Sequence, residues 1–245
     1  MSAPVFLLAD VALRAGATVV LDGPEGRHAA TVQRLSIGER LVLTDGKGTS
    51  ADGTVTRTAR DLLEIEIDHV VTTPPPEPRI VVAQALPKGE RGELSVATMT
   101  EVGADVIVPW AAARCVTRWD GARGEKALTK WRTASRESAK QSRRSRFPEV
   151  TALATTGDVM ERLRAASLGA VLHEEALTPL GAAPLPAVGD IVIVVGPEGG
   201  ISPEEHAAFE AAGAESYRLG PTVLRTSTAG AVGVGLLLSR TARWL

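Results

Sequence analysis

Apolar and polar positions follow two different rhythms along this chain. Between residues 40 and 71 the apolar runs are short and alternate with polar residues, at Arg40–Thr44, Gly53–Arg57 and Leu62–Val71. Turn signals such as Asp45-Gly-Lys-Gly48 separate them. Period-two alternation between turn residues predicts half-buried strands, so residues 1–72 read as a small β-barrel or sandwich. The prolines of residues 73–78 predict a stiff linker. From residue 79 to 245 the rhythm changes. Near-continuous apolar runs at Ile80–Ala85, Val106–Val108, Ala170–His173, Ile191–Val195 and Ser216–Leu219 alternate with helical stretches. Strands that are apolar on both faces and separated by helices predict an α/β domain with a mostly parallel sheet.

Two of these predicted strands end in glycine-containing loops. Ile191–Val195 runs into Gly196-Pro-Glu-Gly-Gly-Ile-Ser202, and Leu219 opens Gly220-Pro-Thr-Val-Leu-Arg-Thr226. Gly196, Gly199 and Gly200 allow a sharp turn and a close approach of main chain to a ligand. Ser202 is placed as an N-cap, Pro203 as the first helical residue and Glu205 as the reciprocal partner of a capping box, with Gly213 ending the helix. Either loop alone is accounted for by a tight strand-to-helix turn. Together they predict a pocket walled by backbone N–H and C=O groups, suited to a small cofactor. No GxxxxGK[ST] loop is present, and Gly230–Gly235 has the wrong glycine order for a dinucleotide fingerprint.

Charge alters the picture more than composition does. The formal net charge is −2, yet residues 114–146 hold eleven Lys or Arg against three acids. That segment is +8 and the remainder −10. Arg132, Arg136, Lys140 and Arg143 recur at helical spacing opposite Ala127, Trp131, Ala134 and Ser138, which predicts a basic stripe on a packed helix. Such a stripe is the footprint of contact with nucleic-acid phosphates, and Arg144 and Arg146 extend it. Arg27, His28, Arg34 and Arg40 form a smaller basic set that ordinary surface placement also explains. Cys115 is the single cysteine, which excludes an internal disulfide and suits a reducing cytoplasm. The start of the chain lacks signal-peptide features, and no apolar run reaches membrane-spanning length. The four histidines are scattered, so no metal site is expected.

The paired loops, read as GPEGGIS and LGPTVLRTSTA, resemble the cofactor loops of SPOUT-class S-adenosylmethionine-dependent RNA methyltransferases. More narrowly, the chain resembles the ribosomal RNA small-subunit methyltransferase E family, which methylates N3 of a uridine in 16S rRNA. Arg27-His28 with Val32–Glu39, Pro87–Leu94 with Thr100–Asp105, and Trp131–Val150 carry the likeness across roughly residues 5 to 240. The family often has Gln-Lys where this chain has Ala97 and Thr98, and a glutamate where it has Ser227. The resemblance implies a PUA-like N-terminal barrel, a SPOUT domain with a trefoil knot, and a homodimer with cofactor pockets at the subunit interface.

It also implies a site. Leu172 and His173 lie at one strand end, Gly196, Glu198 and Gly200 in the first loop, and Leu219, Gly220, Val223, Leu224, Thr226 and Ala229 in the second. These would hold S-adenosylmethionine. Uracil N3 is a poor nucleophile until its proton leaves, so a group that stabilises the anion is required. Arg225 is the candidate, with Glu198 or water as proton acceptor; a loop-holding role for Glu198 is the competing reading. Arg27, His28, Arg34, Arg132, Arg136, Lys140, Arg143, Arg144 and Arg146 are the RNA-contact candidates. A non-catalytic RNA-binding or ribosome-assembly protein is the alternative function, and retained cofactor loops argue against it.

Overall fold

The computed structural model describes residues 3–244; Met1, Ser2 and Leu245 lie outside them. The chain divides into two compact units, Met1–Pro75 with Ala139–Phe147, and Pro76–Ser138 with Pro148–Leu245.

The first unit is built on five strands: β1 (Val5–Leu7), β2 (Thr18–Leu21), β3 (Arg40–Thr44), β4 (Thr49–Ala59) and β5 (Leu62–Thr72). Their order is β1-β3-β4-β5-β2, with β1 parallel to β3 and every other pair antiparallel. Alternation puts Leu41, Leu43, Val55, Leu63 and Ile65 into the core beside Phe6 and Leu21. The strands β1 and β2 are too short for period-two alternation to reveal them. Between β2 and β3 lie a one-turn helix, α1 (Gly23–Arg27), and a π-helical turn (His28–Val32).

Residues 139–147, expected with the C-terminal domain, group instead with this first unit. Gly48 donates its N–H to the Ser145 carbonyl, Phe147 donates to the Gly46 carbonyl, and the Thr44 hydroxyl reaches the Ser145 carbonyl at 3.1 Å. Lys140 Nζ lies 2.7 Å from Glu25 Oε1, and Lys140 is buried.

The second unit carries six strands: β6 (Arg79–Ala85), β7 (Val106–Trp110), β8 (Glu149–Val150), β9 (Leu168–Leu172), β10 (Asp190–Val195) and β11 (Glu215–Tyr217). Their order is β11-β9-β10-β6-β7-β8, and every neighbouring pair is parallel. The helices are α2 (Arg91–Val102), α3 (Gly121–Gln141, whose last three residues belong to the first unit), α4 (Thr156–Ala165), α5 (Pro203–Ala211) and α6 (Thr226–Leu238). All five residues of β7 and five of six in β10 are buried, as an unbroken apolar run requires. Trp110 packs edge-on against Phe209 of α5 with ring centroids 5.3 Å apart. Glycine in the apolar helix α6 has a packing reason. A Cβ on Gly230 would stand 2.7 Å from Met99 Sδ of α2, so the missing side chain is what lets the two helices approach.

Candidate functional site

In a parallel sheet every strand ends on the same edge, and that edge is where ligands collect. The strands β11, β9, β10, β6 and β7 are consecutive across the sheet, so the loops that follow them form a row. They enclose a cleft of about 590 Å³. All eleven residues expected to hold the cofactor line it, namely Leu172, His173, Gly196, Glu198, Gly200, Leu219, Gly220, Val223, Leu224, Thr226 and Ala229, and Arg225 joins them. Sequence reasoning missed Arg91, Arg114, Glu174, Glu175, Arg218 and Thr222, which also line it. A signal existed for two of these. Arg91 and Arg114 follow predicted parallel strands, and the ends of parallel strands share one edge.

The first loop is shaped by backbone conformation. Gly200 has φ +74° and donates its N–H to the Pro197 carbonyl at 2.9 Å. The expected capping box forms: Ser202 Oγ accepts from Glu205 N–H, and Glu205 Oε2 accepts from Ser202 N–H, each at 3.2 Å. Glu205 is buried and does more than cap. Its Oε1 accepts from the Ala113 N–H at 2.8 Å and from the Thr156 hydroxyl at 3.0 Å. Arg114 Nη1 donates to the Gly199 carbonyl at 3.1 Å. Glu198 Oε1 accepts from the Lys88 N–H at 3.1 Å, so its carboxylate ties two loops together.

The second loop enters α6 at Arg225, the N-cap, whose carbonyl accepts from Thr228 and Ala229 N–H. The Arg225 side chain is left to the cleft. Thr226 is buried, and its carbonyl accepts from Gln84 Nε2 at 3.4 Å while Ser95 Oγ holds the same amide's oxygen at 3.1 Å. Ser227 is also buried and does not line the cleft, so no carboxylate stands at that turn. At the third wall His173 Nδ1 accepts from Glu175 N–H, and its ring meets that of His206 at 5.2 Å. His206 Nε2 pairs with Ser216 Oγ at 2.7 Å. Behind it Tyr217 is buried and bonded to Glu215, and burial first, then that carboxylate, push its hydroxyl up to about 12.

None of the expected RNA-contact residues lines this cleft. In the first unit Arg27 and Arg34 are exposed, while His28 packs its ring edge against Phe6 at 6.0 Å. Arg143, with φ +60°, lies beyond the end of α3 and is exposed. Arg144 Nε bonds the Arg146 carbonyl, and Arg146 Nη2 bonds the Thr73 carbonyl at 3.0 Å. Lys140 departs from the expected stripe. It is 8% exposed and paired with Glu25: helical spacing keeps it on the side of Arg132 and Arg136, but at the end of α3 the Glu25 carboxylate covers it. In the second unit Arg132 and Arg136 are exposed; Arg132 Nε bonds the Val150 carbonyl and Arg136 meets Glu137.

Among the described residues no group of three or more His, Cys, Asp or Glu is placed to hold a metal ion. No described helix is long and apolar enough to cross a membrane. Cys115 is buried, and burial pushes its thiol up, away from the reactive thiolate.

Residues 74–238 match the family of RNA methyltransferase domains, and residues 21–68 match the RNA methyltransferase PUA domain. The chain is similar to the ribosomal RNA small subunit methyltransferase E of Mycobacterium bovis, with 48% identity over 94% of this chain and 89% of that one. It is also similar to the Neisseria gonorrhoeae ribosomal RNA small subunit methyltransferase E bound to S-adenosyl methionine, with TM-score 0.86, 28% identity and 98% of each chain covered. A Legionella pneumophila putative methyltransferase with bound cofactor SAM aligns with TM-score 0.84 and 26% identity, covering 98% of this chain and 99% of that one. With its two units, its strand-end cleft and these relatives, this chain belongs to the ribosomal RNA small subunit methyltransferase E family.

Proposed function

We propose that this protein is an S-adenosylmethionine-dependent methyltransferase acting on N3 of a uridine in 16S rRNA of the small ribosomal subunit. One observation carries the reading: two glycine-bearing loops and a third strand end converge on a single cleft with Arg225 at its wall. The residues fit the cofactor. Leu172, Leu219 and Leu224 supply apolar surface, and bare glycine backbone at Gly196, Gly200 and Gly220 supplies polar groups without side chains in the way. When bound, S-adenosylmethionine supplies an electrophilic methyl group on its sulfonium.

The chain's own task is then to place the uracil in line and to favour its anion. Loss of the N3 proton puts negative charge on the uracil oxygens, and the Arg225 guanidinium stabilises that charge. The methyl group that S-adenosylmethionine would supply is destined for N3, and the loops at Gly196–Gly200 and Leu219–Thr226 would hold the cofactor beside Arg225. Water takes the proton. Glu198 already accepts the Lys88 N–H, which supports its role as the holder of the loop. The basic residues Arg27, Arg34, Arg132, Arg136 and Arg143 are exposed and support RNA contact by phosphate charge.

Family membership supports a trefoil knot in the second unit and a homodimer with its pockets at the interface. Exposed Val223, at 77% beside the cleft, supports the dimer, because an apolar residue there gains from being covered. Analytical ultracentrifugation tests the dimer. The activity is tested by methylating purified small subunits that lack the modification and identifying the product nucleoside by mass spectrometry. N3-methyluridine at one position is the expected result; a different methylated nucleoside, or none, refutes the reading.

A further inference from the structure

Three arginines that the proposed chemistry has not used line the same cleft as Arg225: Arg218, which follows β11, and Arg91 and Arg114 on the opposite side of the row. Neither Arg91 nor Arg114 belongs to the two cofactor loops. Arg91 is the first residue of α2, reached from β6, and Arg114 follows β7. In the sheet β6 lies beside β10 and β7 beside β6, so these two loops continue the row of strand ends that carries the cofactor loops.

Both loops are held at fixed points. Glu198 grips the first through the Lys88 N–H at 3.1 Å, and buried Glu205 grips the second through the Ala113 N–H at 2.8 Å. The Thr117 hydroxyl donates to the Pro87 carbonyl at 2.8 Å and ties the loops to each other. The two glutamates of the motif after β10 therefore act as posts, one under each arginine-bearing loop. Arg114 also reaches back to the Gly199 carbonyl, which sets it against the first cofactor loop.

Charge matching separates these arginines from Arg79 and Arg243 of the same unit. Arg79 is paired with Asp190 at 2.7 Å, and Arg243 with Asp105 at 2.6 Å. Arg91 and Arg114 form no ion pair among the described residues, and neither does Arg225. Acids are present in the cleft, but Glu198 is committed to Lys88, and Glu174 and Glu175 sit at the end of β9. The N-cap of α2, Glu90, makes no side-chain cap, so the positive end of that helix adds to the charge of Arg91. Glu204, fully exposed, feels the charge of Arg114 without forming an ion pair with it. Guanidinium groups without an ion pair on a concave wall attract an anion, and their planar fork fits the paired oxygens of a phosphodiester.

We propose that Arg91 and Arg114 form a phosphate-binding subsite for the backbone of the target RNA, beside the methyl-transfer site. The inference rests on the RNA-methylation reading above. It differs from contact through the basic stripe, because these arginines sit on the wall of the reaction cleft itself.

The test titrates fluorescently labelled protein with small ribosomal subunits carrying unmodified 16S rRNA, at several salt concentrations. Cofactor affinity of the same variants is measured by calorimetry. R91Q is expected to weaken subunit binding about tenfold or more, as loss of a charged hydrogen bond does. It should also lower the magnitude of the log–log salt slope by about 0.7 to 0.9, the signature of one lost phosphate contact. Cofactor affinity should stay within about twofold of wild type. R91K should restore the slope but not the full affinity, since it keeps the charge and loses the fork. R114Q should weaken both ligands, because Arg114 also braces Gly199. Loss of cofactor affinity in R91Q with an unchanged slope would place the methionine carboxylate at Arg91 and overturn the subsite. Unchanged subunit affinity and slope overturn it equally. Wild-type protein that binds no subunits overturns the methylation reading and the subsite with it.

Discussion

Gly200 offers a quantitative test of how the first cofactor loop is built. Its φ of +74° lies in the region that L-residues avoid, while a Cβ there would meet only Arg114 Nη1, at an ordinary 3.8 Å. The penalty for Gly200→Ala is therefore one of backbone conformation and not of collision, about 1 to 2 kcal/mol. That energy appears in one of two places. If the loop relaxes in the free protein, binding must restore it, and S-adenosylmethionine affinity falls about 5- to 30-fold. If Glu205 and Arg114 hold the loop rigid, the same energy appears as lost stability, roughly 2 to 8 °C in Tm for a domain of this size. Gly220→Ala is the control. It lines the same cleft, has no positive φ, and has no atom within 4 Å of its ideal Cβ, so it carries no backbone strain. Calorimetry and thermal unfolding of both variants measure the two contributions. The reasoning fails if Gly200→Ala changes neither affinity nor Tm, or changes them no more than Gly220→Ala does. Gly200→Val should be worse than alanine, because β-branched residues tolerate positive φ least.

Arg225→Lys should lower the single-turnover rate by a hundredfold or more, about 3 to 4 kcal/mol, with both ligands still bound; raising the pH should recover part of the rate. A variant that turns over normally removes Arg225 from the chemistry. Lys140→Met should destabilise the protein by about 3 kcal/mol, the lower end for a broken buried pair because Glu25 keeps its bond to the Leu7 N–H. Subunit binding by Lys140→Met should keep its salt slope, whereas the Arg136, Arg143 and Arg144 triple reversal to glutamate should flatten it; equal slopes would return Lys140 to the RNA-contact set. Tyr217 gives a pH dependence. Its hydroxyl is held neutral up to about 12, so its contribution to stability is full below pH 10 and is lost as pH rises toward 12. Tyr217→Phe should show a flatter stability profile across that window, as followed by chemical denaturation.

Local pattern determined a good part of this protein. The apolar run Ile191–Val195, followed by glycines, a serine cap and Glu205, could only be a buried strand turning into a helix, because each residue meets a separate local requirement of that turn. The same logic predicted the parallel sheet and a backbone-lined pocket between two such loops, while the individual cofactor residues came from the resemblance to a family. What local pattern does not contain is neighbourhood. That β11, β9, β10, β6 and β7 lie side by side is a fact of long-range pairing, and only that order brings Arg91 and Arg114 to the cofactor loops. Glu205 read as a cap; tertiary structure made it also the acceptor for Ala113 and Thr156, residues 92 and 49 positions away. Lys140 read as part of an exposed stripe because helical spacing cannot see an acid 115 residues earlier in the chain. Spacing along a helix assigns a residue to a face, but whether that face meets solvent, a core or a countercharge depends on which distant segments folding brings against it.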